Sequence, residues 1–242
     1  MILGAGSVVL RQKRGGTDVA CKLIERGHYQ TIPPEAMREM AIMAKLCKNV
    51  SDDDAKKHIV QFYEAELDDP KWIKLYLELM GGGTLANLLW DPTKAVNVQD
   101  FSRQLMLGLS FIHKHDFIHR DLKPANLLLT TDQKVLKIAD FGLSKLHAEH
   151  ASHTIMVSND TPNLASAVVL SRQVCTLYYR PLELLLDFIQ GKDLLRYGPE
   201  VDMWSAGCIV WELAERRPLF AQKKPSQSPV SSSKDQVKTI LE

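Results

Sequence analysis

The sequence predicts an α+β chain in two lobes, a β-rich one over residues 1–80 and a mainly α-helical one over residues 81–242. Three observations predict it. Short apolar runs bounded by turn residues, at 2–24, 58–67 and 72–77, have the length of strands. Three consecutive glycines, Gly81, Gly82 and Gly83, then mark a break in composition that reads as a hinge. Beyond Thr84 the period changes: Phe101, Leu105, Leu109 and Ile112 recur every three to four residues, the stripe of an amphipathic helix. A chain of 242 residues with 45% hydrophobic content can bury a core as one large domain or as two small lobes.

In the first lobe, residues 2–24 read as a glycine-bearing strand pair with a basic turn ending at Gly15 and Gly16. Gly4 and Gly6 let backbone amides approach phosphate oxygens with no side chain in the way, a spacing that plain turns also use. Pro33, Pro34 and Glu35 open a helix, since proline fits the first turn and an acid suits its positive end. Met40, Met43 and Leu46 continue it as a core-facing stripe. Residues 51–57 are a charged surface turn before the strands at 58–67 and 72–77. In the second lobe Asn97 and Asp100 cap the helix that leads to residue 112, and His113 and His115 fall at its end without a third ligand to make a metal site.

Residues 117–142 carry the chemistry. Asp121, Lys123 and Asn126 sit in one short loop, and Asp140 follows fourteen residues after Asn126. Leu127, Leu128 and Leu129, a polar turn at 130–134 and an apolar run at 135–138 predict a hairpin that returns Asp140 beside Asn126. Asn126 and Asp140 then offer oxygen ligands suited to a hard cation such as Mg²⁺, which keeps several of its waters. Asp121 is a carboxylate able to take a proton, and Lys123 a cation able to neutralise developing negative charge. Metal, base and cation are the parts that phosphoryl transfer requires.

This string resembles the catalytic and metal-binding loops of eukaryotic protein kinases, and a lysine two residues after the aspartate is the serine/threonine form. The resemblance covers nearly the whole chain and is strongest at 119–142 and 174–213. It implies a bilobal protein kinase fold with a truncated helical lobe, and transfer of the ATP γ-phosphate, with Mg²⁺, to Ser or Thr of protein substrates. By this resemblance Asp121 orients and deprotonates the substrate hydroxyl and Lys123 contacts the transferred group, while Asn126 and Asp140 hold the metal. Gly4 and Gly6 fall in the nucleotide loop, and Ala20 and Lys22 in the Val-Ala-x-Lys strand that follows it. Glu39 is the partner that sets Lys22 on the ATP phosphates. The backbone of Glu78 and Met80 bonds adenine, Leu77 guards the space behind it, and Leu128 is its floor. His119 is a brace, and Asp202 bonds the catalytic-loop backbone, although a plain helix-capping role also explains an aspartate there. Val9 stands where the family has a third glycine.

Residues 174–183 resemble the end of the activation segment in cyclin-dependent and mitogen-activated kinases. There Arg180 goes with a preference for proline just after the target Ser or Thr, and Leu182 replaces a usual proline. Residues 147–170, rich in Ser, Thr, Asn and His, read as a mobile insertion in that segment. Counting back from Thr176, Ser171 falls where these kinases carry an activating phosphate, with Arg38, Arg120 and Lys145 as the matching cations. Lys145 replaces an arginine and lacks its planar fork. Pro33, Ala36, Arg38 and Glu39 fit the helix by which cyclin-dependent kinases meet their cyclin, so a cyclin-like activating subunit is the implied partner.

Residues 203–213, apolar on nearly all sides, predict a helix buried all round. Residues 222–234 are of low complexity and expected to lack regular structure, with a helix beginning at Asp235. By family likeness further helices follow Glu242 and supply an arginine to a buried Glu183. An unpaired buried carboxylate costs about 3–5 kcal/mol, which predicts a chain of marginal stability on its own.

Thirty Lys and Arg against 29 Asp and Glu leave a net charge of +1, which favours neither nucleic acid nor membrane surfaces as partners. Cys21, Cys47, Cys175 and Cys208 are far apart and read as reduced thiols. With no secretory signal and no apolar run of membrane-spanning length, the cytoplasm or nucleus is the expected location. A non-catalytic kinase-like module that binds ATP or a partner is the rival to an active kinase. Val9 and Leu182 favour the rival; the presence of Lys22, Glu39, Asp121, Lys123, Asn126 and Asp140 favours catalysis.

Overall fold

The computed structural model describes residues 2–4, 7–48, 54–147, 176–191, 198–222 and 229–242. Gly6, Ser171, residues 148–170 of the expected insertion and 223–228 of the low-complexity stretch lie outside the described residues. By contacts the chain divides into two compact units, Met1–His115 with Pro124–Ser144, and Asp116–Lys123 with Lys145–Glu242, whereas the sequence placed its lobe boundary after residue 80.

The first unit is built on an antiparallel sheet ordered β1-β2-β3-β5-β4, from β1 (Ile2–Gly4), β2 (Ser7–Arg14), β3 (Thr17–Glu25), β4 (Phe62–Glu66) and β5 (Trp72–Glu78). Gly15 and Gly16, at φ +54° and +82°, make the two-residue turn between β2 and β3 whose twist matches the strands. Helix α1 (Pro34–Lys48) buries Ala36, Glu39, Ile42, Met43 and Leu46, one stripe at helical spacing. Ala36 packs with Ile73 and Leu75 of β5, and Ile24, Met40 and Phe62 close around them.

β4 starts four residues later than the sequence suggested, because 54–58 form a short 3-10 turn. Ile59 and Val60 are buried by a different partner: the Val60 N–H donates to the Ile138 carbonyl at 3.0 Å. Helix α2 (Leu85–Trp90) begins with a capping box between Thr84 and Asn87, and α3 (Val98–Lys114) with the Asn97 side chain accepting from the Asp100 N–H at 3.1 Å. Gly108 of α3 is required by close approach, since a Cβ there would lie 2.9 Å from the His58 carbonyl.

A hairpin of β7 (Leu127–Leu129) and β8 (Leu136–Ile138), the one expected, completes this unit; β6 (Phe117–Ile118) belongs to the second. Gln104 of α3 clamps the hairpin by donating to the Lys134 carbonyl at 2.9 Å and accepting from the Leu136 N–H at 2.7 Å. The glycine run is seated on the same hairpin. Gly82 donates to the Leu129 carbonyl at 3.0 Å, the Leu129 N–H donates to the Gly83 carbonyl at 2.9 Å, and a Cβ at Gly82 would lie 2.1 Å from the Thr130 carbonyl. Close approach is therefore one physical reason for glycine there.

In the second unit β6 (Phe117–Ile118) pairs with β9 (Lys145–Leu146). Helices α4 (Leu182–Ile189), α5 (Glu200–Glu215) and α6 (Pro229–Leu241) follow, with Ile118, Leu184 and Val201 packed as a core cluster. Three expectations are corrected here. Residues 229–234 are helical, because α6 packs on α4 with Ser233 and Gln236 buried and the Gln236 amide donating to the Phe220 carbonyl at 3.1 Å. Helix α5 is not covered all round among the described residues: Met203 is 47% and Trp211 39% exposed, and a Cβ at Gly207 between them would meet nothing within 4 Å. Glu183 is exposed, so the penalty for a lone buried carboxylate does not arise at that position. No helix among the described residues is long and apolar enough to cross a membrane.

Candidate active site

In the first unit, the alternation of β3 leaves Cys21 fully buried in the sheet core and its neighbour Lys22 on the opposite face. Helix α1 buries Glu39, only 3% exposed, on its core stripe. A buried carboxylate demands a counter-charge, and the Lys22 Nζ provides it at 2.7 and 2.8 Å from the two Glu39 oxygens. The same Nζ lies 3.3 Å from Asp140 Oδ1. Burial by itself would lower the Lys22 pKa, but the combined charges and hydrogen bonds of Glu39 and Asp140 outweigh it and hold the ammonium above its ordinary value.

Asn126 and Asp140 both lie at the open end of the β7–β8 hairpin, one just before β7 and the other two residues after β8. Leu127 pairs with Ile138, and the Ala139 N–H donates to the Asn126 carbonyl at 2.9 Å. Asp140 adopts φ 65°, a left-handed conformation that costs a non-glycine residue roughly 1–3 kcal/mol, and its side chain is 48% exposed. Among the described residues no three His, Cys, Asp or Glu side chains gather as a metal cage. A set of one amide and one carboxylate oxygen suits an ion that keeps most of its waters, so these residues fit Mg²⁺. Arg38 donates to the Gly142 carbonyl at 2.6 Å, tying α1 to the residues after Asp140.

In the second unit, the Asp202 carboxylate of α5, fully buried, accepts from the N–H groups of His119 and Arg120 at 2.8 Å each. Arg120 is thereby held at φ 68°. The Asp121 N–H donates to His119 Nδ1 at 3.3 Å, so His119, fully buried, braces the loop. Asp121 Oδ2 accepts from the Lys123 Nζ at 2.7 Å, and its Oδ1 accepts from the Thr176 backbone N–H at 3.2 Å and hydroxyl at 3.3 Å. Lys123 also donates to the Thr176 hydroxyl at 3.1 Å. Sequence reasoning used Thr176 only as a counting mark; its hydroxyl, fifty-odd residues away in the chain, left no local signal.

Lys145 has its pKa lowered by burial first and by the positive charge of Arg120 second, so two of the three cations assigned to a phosphate share one neighbourhood. Arg180 is 8% exposed, with its guanidinium carbon 5.9 Å from the centre of the Phe188 ring. The Tyr179 hydroxyl donates to buried Glu212 at 2.7 Å, and Ser205 donates to the Tyr179 carbonyl at 2.8 Å, anchoring that segment to α5. Of the adenine-side residues, Ala20 is buried on β3, Glu78 ends β5 opposite Val19 and donates its N–H to the Gln61 carbonyl at 2.9 Å, and Met80 is 7% exposed. Gly4 ends β1, and Leu128 bridges to Thr84.

The protein kinase domain model matches residues 3–242, and the chain belongs to that family. The relatives it is similar to include cell division control protein 2 homologs and cyclin-dependent kinases. It is 36% identical over 231 residues to Cell division control protein 2 homolog 3 of Trypanosoma brucei brucei, covering 90% of this chain and 62% of the relative. It is 41% identical over 215 residues to Cyclin-dependent kinase 12 of Drosophila melanogaster, covering 84% of this chain and 16% of the relative. To Cyclin-dependent kinase 9 of Homo sapiens it is 39% identical over 138 residues, 57% of this chain and 32% of that one. The chain thus spans less than two thirds of each of these relatives. The crystal structure of the yeast RNA Pol II CTD kinase CTDK-1 complex shares the fold, with a TM-score of 0.66 at 24% identity over 100% of this chain and 69% of that one.

Lys22→Met leaves Glu39 buried without its cation, and a loss of about 3–5 kcal/mol is expected. Burial raises the Glu39 pKa and Lys22 opposes that rise, so the variant's Glu39 takes up a proton on folding. A folded carboxyl with a pKa above its unfolded value destabilises as pH rises past the unfolded one, near the ordinary 4.5. The gap in melting temperature between wild type and variant should therefore widen from pH 5 to pH 8, and a gap independent of pH would contradict this account.

Proposed function

We propose that this chain is an ATP- and Mg²⁺-dependent protein serine/threonine kinase. The observation that carries the reading is the Lys22 ammonium held at once by Glu39 and Asp140, a cation pre-set among acids where a polyphosphate needs one. Lys22 holds the phosphates of ATP, kept in reach by Glu39. Asn126 and Asp140 would hold Mg²⁺, which would supply positive charge to the phosphates. Asp121 accepts the hydrogen bond of the substrate hydroxyl, orients its oxygen and takes its proton. Lys123, within 2.7 Å of Asp121, neutralises charge on the group in transit, and Thr176 keeps the carboxylate from turning away. The backbone of Glu78 and Met80 receives adenine over Leu128, with Gly4, Gly6 and Ala20 lining the nucleotide.

The same proposal includes preference for a Ser or Thr followed by proline, with Arg180 as its determinant, and a cyclin-like partner on α1. That helix turns Pro34, Met37, Ala41, Lys45 and Lys48 outward, and Tyr29 before it is 99% exposed. A partner pressing there fixes Glu39 and, through Arg38, the residues after Asp140. Phosphate at Ser171, paired with Arg38, Arg120 and Lys145, completes the regulatory reading.

Transfer of labelled phosphate to a Ser-Pro peptide and to its Ser-Ala counterpart, with and without candidate cyclins, tests all of this. Label on the Ser-Pro peptide above the Ser-Ala one is expected. Thermal stabilisation by Mg·ATP with no transfer under any condition would instead place the chain among kinase-like binding modules.

A further inference from the structure

We infer that Glu78 and Lys137 are positioning residues that lock the backbone segment assigned to adenine onto the hairpin assigned to the metal. The inference rests on the proposed roles of Glu78, Met80, Asn126 and Asp140. Glu78 is the last residue of β5, and both its carboxylate oxygens accept from the Lys137 Nζ, at 2.7 and 2.8 Å. Oε2 also accepts from the Gln61 N–H at 3.2 Å. The pair is largely withdrawn from water, with the Lys137 side chain 12% and that of Glu78 23% exposed.

Lys137 is the central residue of β8, opposite Leu128 in register and on the same face of the hairpin, and Asp140 follows three residues later. Beyond Met80 the chain meets this hairpin again, through the paired amides of Gly82, Gly83 and Leu129. Residues 79–81 are thus pinned at both ends to the element that bears Asn126 and Asp140, and all of it lies within one compact unit.

Stability alone is a poor reason for such a pair, because desolvating two charges offsets most of their attraction and apolar residues of similar size would serve. Geometry is a better one. An ammonium shared by both carboxylate oxygens admits little sliding along the strand, so it sets the spacing between the adenine segment and the metal hairpin. Two subsites at a fixed spacing act as linked binding sites, and a ligand that spans both gains from the link while a ligand that uses one does not.

Mg·ATP spans both subsites and adenosine uses only the adenine segment. In the full chain, Lys137→Met should raise the Kd of Mg·ATP by about 5–10-fold while changing that of adenosine less than about twofold. Glu78→Gln should raise the Kd of Mg·ATP by a similar factor. The charge-swapped pair, Glu78→Lys with Lys137→Glu, should recover most of the Mg·ATP affinity. Equal losses for the two ligands, as general loosening would produce, or no loss for either, would overturn the inference. Should Lys137→Met fail to fold, Lys137→Gln, which keeps a polar side chain but no charge, carries the comparison. If wild type binds neither ligand, the adenine assignment itself fails. Amide exchange over residues 79–83 then decides the lock alone: faster exchange in the variants supports it and unchanged exchange rejects it.

Discussion

Asp121→Asn should reduce phosphate transfer by about 10²–10⁴-fold while leaving the affinity for Mg·ATP within about twofold of wild type. The substitution preserves shape. An amide oxygen at Oδ1 still accepts from Thr176, but no group remains that can take a proton from the substrate hydroxyl. Asn also presents an NH₂ in place of the oxygen that meets Lys123 at 2.7 Å, turning a charge-assisted contact into a clash of donors. The kinetic signature is a fall in kcat with KM for ATP nearly unchanged, measured by initial rates on a peptide and by direct nucleotide titration. Equal incorporation by wild type and variant would remove Asp121 from the chemistry, and a parallel loss of nucleotide affinity would show a structural effect instead.

The β7–β8 hairpin was legible because everything that specifies it is local. An apolar triplet, a polar turn, a second short strand with Lys137 between Leu136 and Ile138, and Asn126 and Asp140 just outside them lie within fifteen residues, and register follows from the turn. The Lys22–Glu39 pair was legible only through family likeness. Nothing in spacing alone says that a lysine on β3 and a glutamate on α1 meet; burial of the core stripe of α1 is what makes their pairing obligatory.

Where local cues and tertiary packing disagree, the sequence misled in physically specific ways. Ser231, Ser232 and Ser233 have modest helix propensity and read as low complexity, yet Ser233 and Gln236 are buried against the rest of their unit, and that packing outweighs propensity. Ile59 and Val60 looked like the start of a strand because they are apolar, whereas Ile59 bridges to Ile138 and the Val60 N–H donates to the Ile138 carbonyl. Helix α5 shows the converse: apolar residues on nearly all sides of 203–213 suggested burial all round, yet Met203 and Trp211 are exposed, because composition cannot say whether a partner is present on each side. The Thr176 hydroxyl and the Glu78–Lys137 pair left no sequence signal, since each depends on a contact between distant segments.

Asp202→Ala is the second large effect. The N-cap of α5 is Pro199, and Asp202 sits within the first turn, so a capping role does not account for it. Its two oxygens instead accept from two backbone N–H groups of the loop that carries Asp121. Alanine leaves both donors buried without their acceptor, at about 1–3 kcal/mol each, and the charge-assisted character of the bonds puts the expected total near 3–5 kcal/mol. The carboxylate also lies at the positive end of α5, which adds a few tenths of a kcal/mol. With the anchor gone, Arg120 loses the bond that favours φ 68°, and relaxation of that residue rotates the next one, which is Asp121. Stability and transfer should therefore fall together. Asp202→Asn, which retains one acceptor, should lose about half as much stability as alanine. Denaturant midpoints measured with an unchanged m-value separate lost stability from partial unfolding. A deficit below about 1 kcal/mol for Asp202→Ala would mean that the two N–H groups find other acceptors and that α5 does not hold the loop.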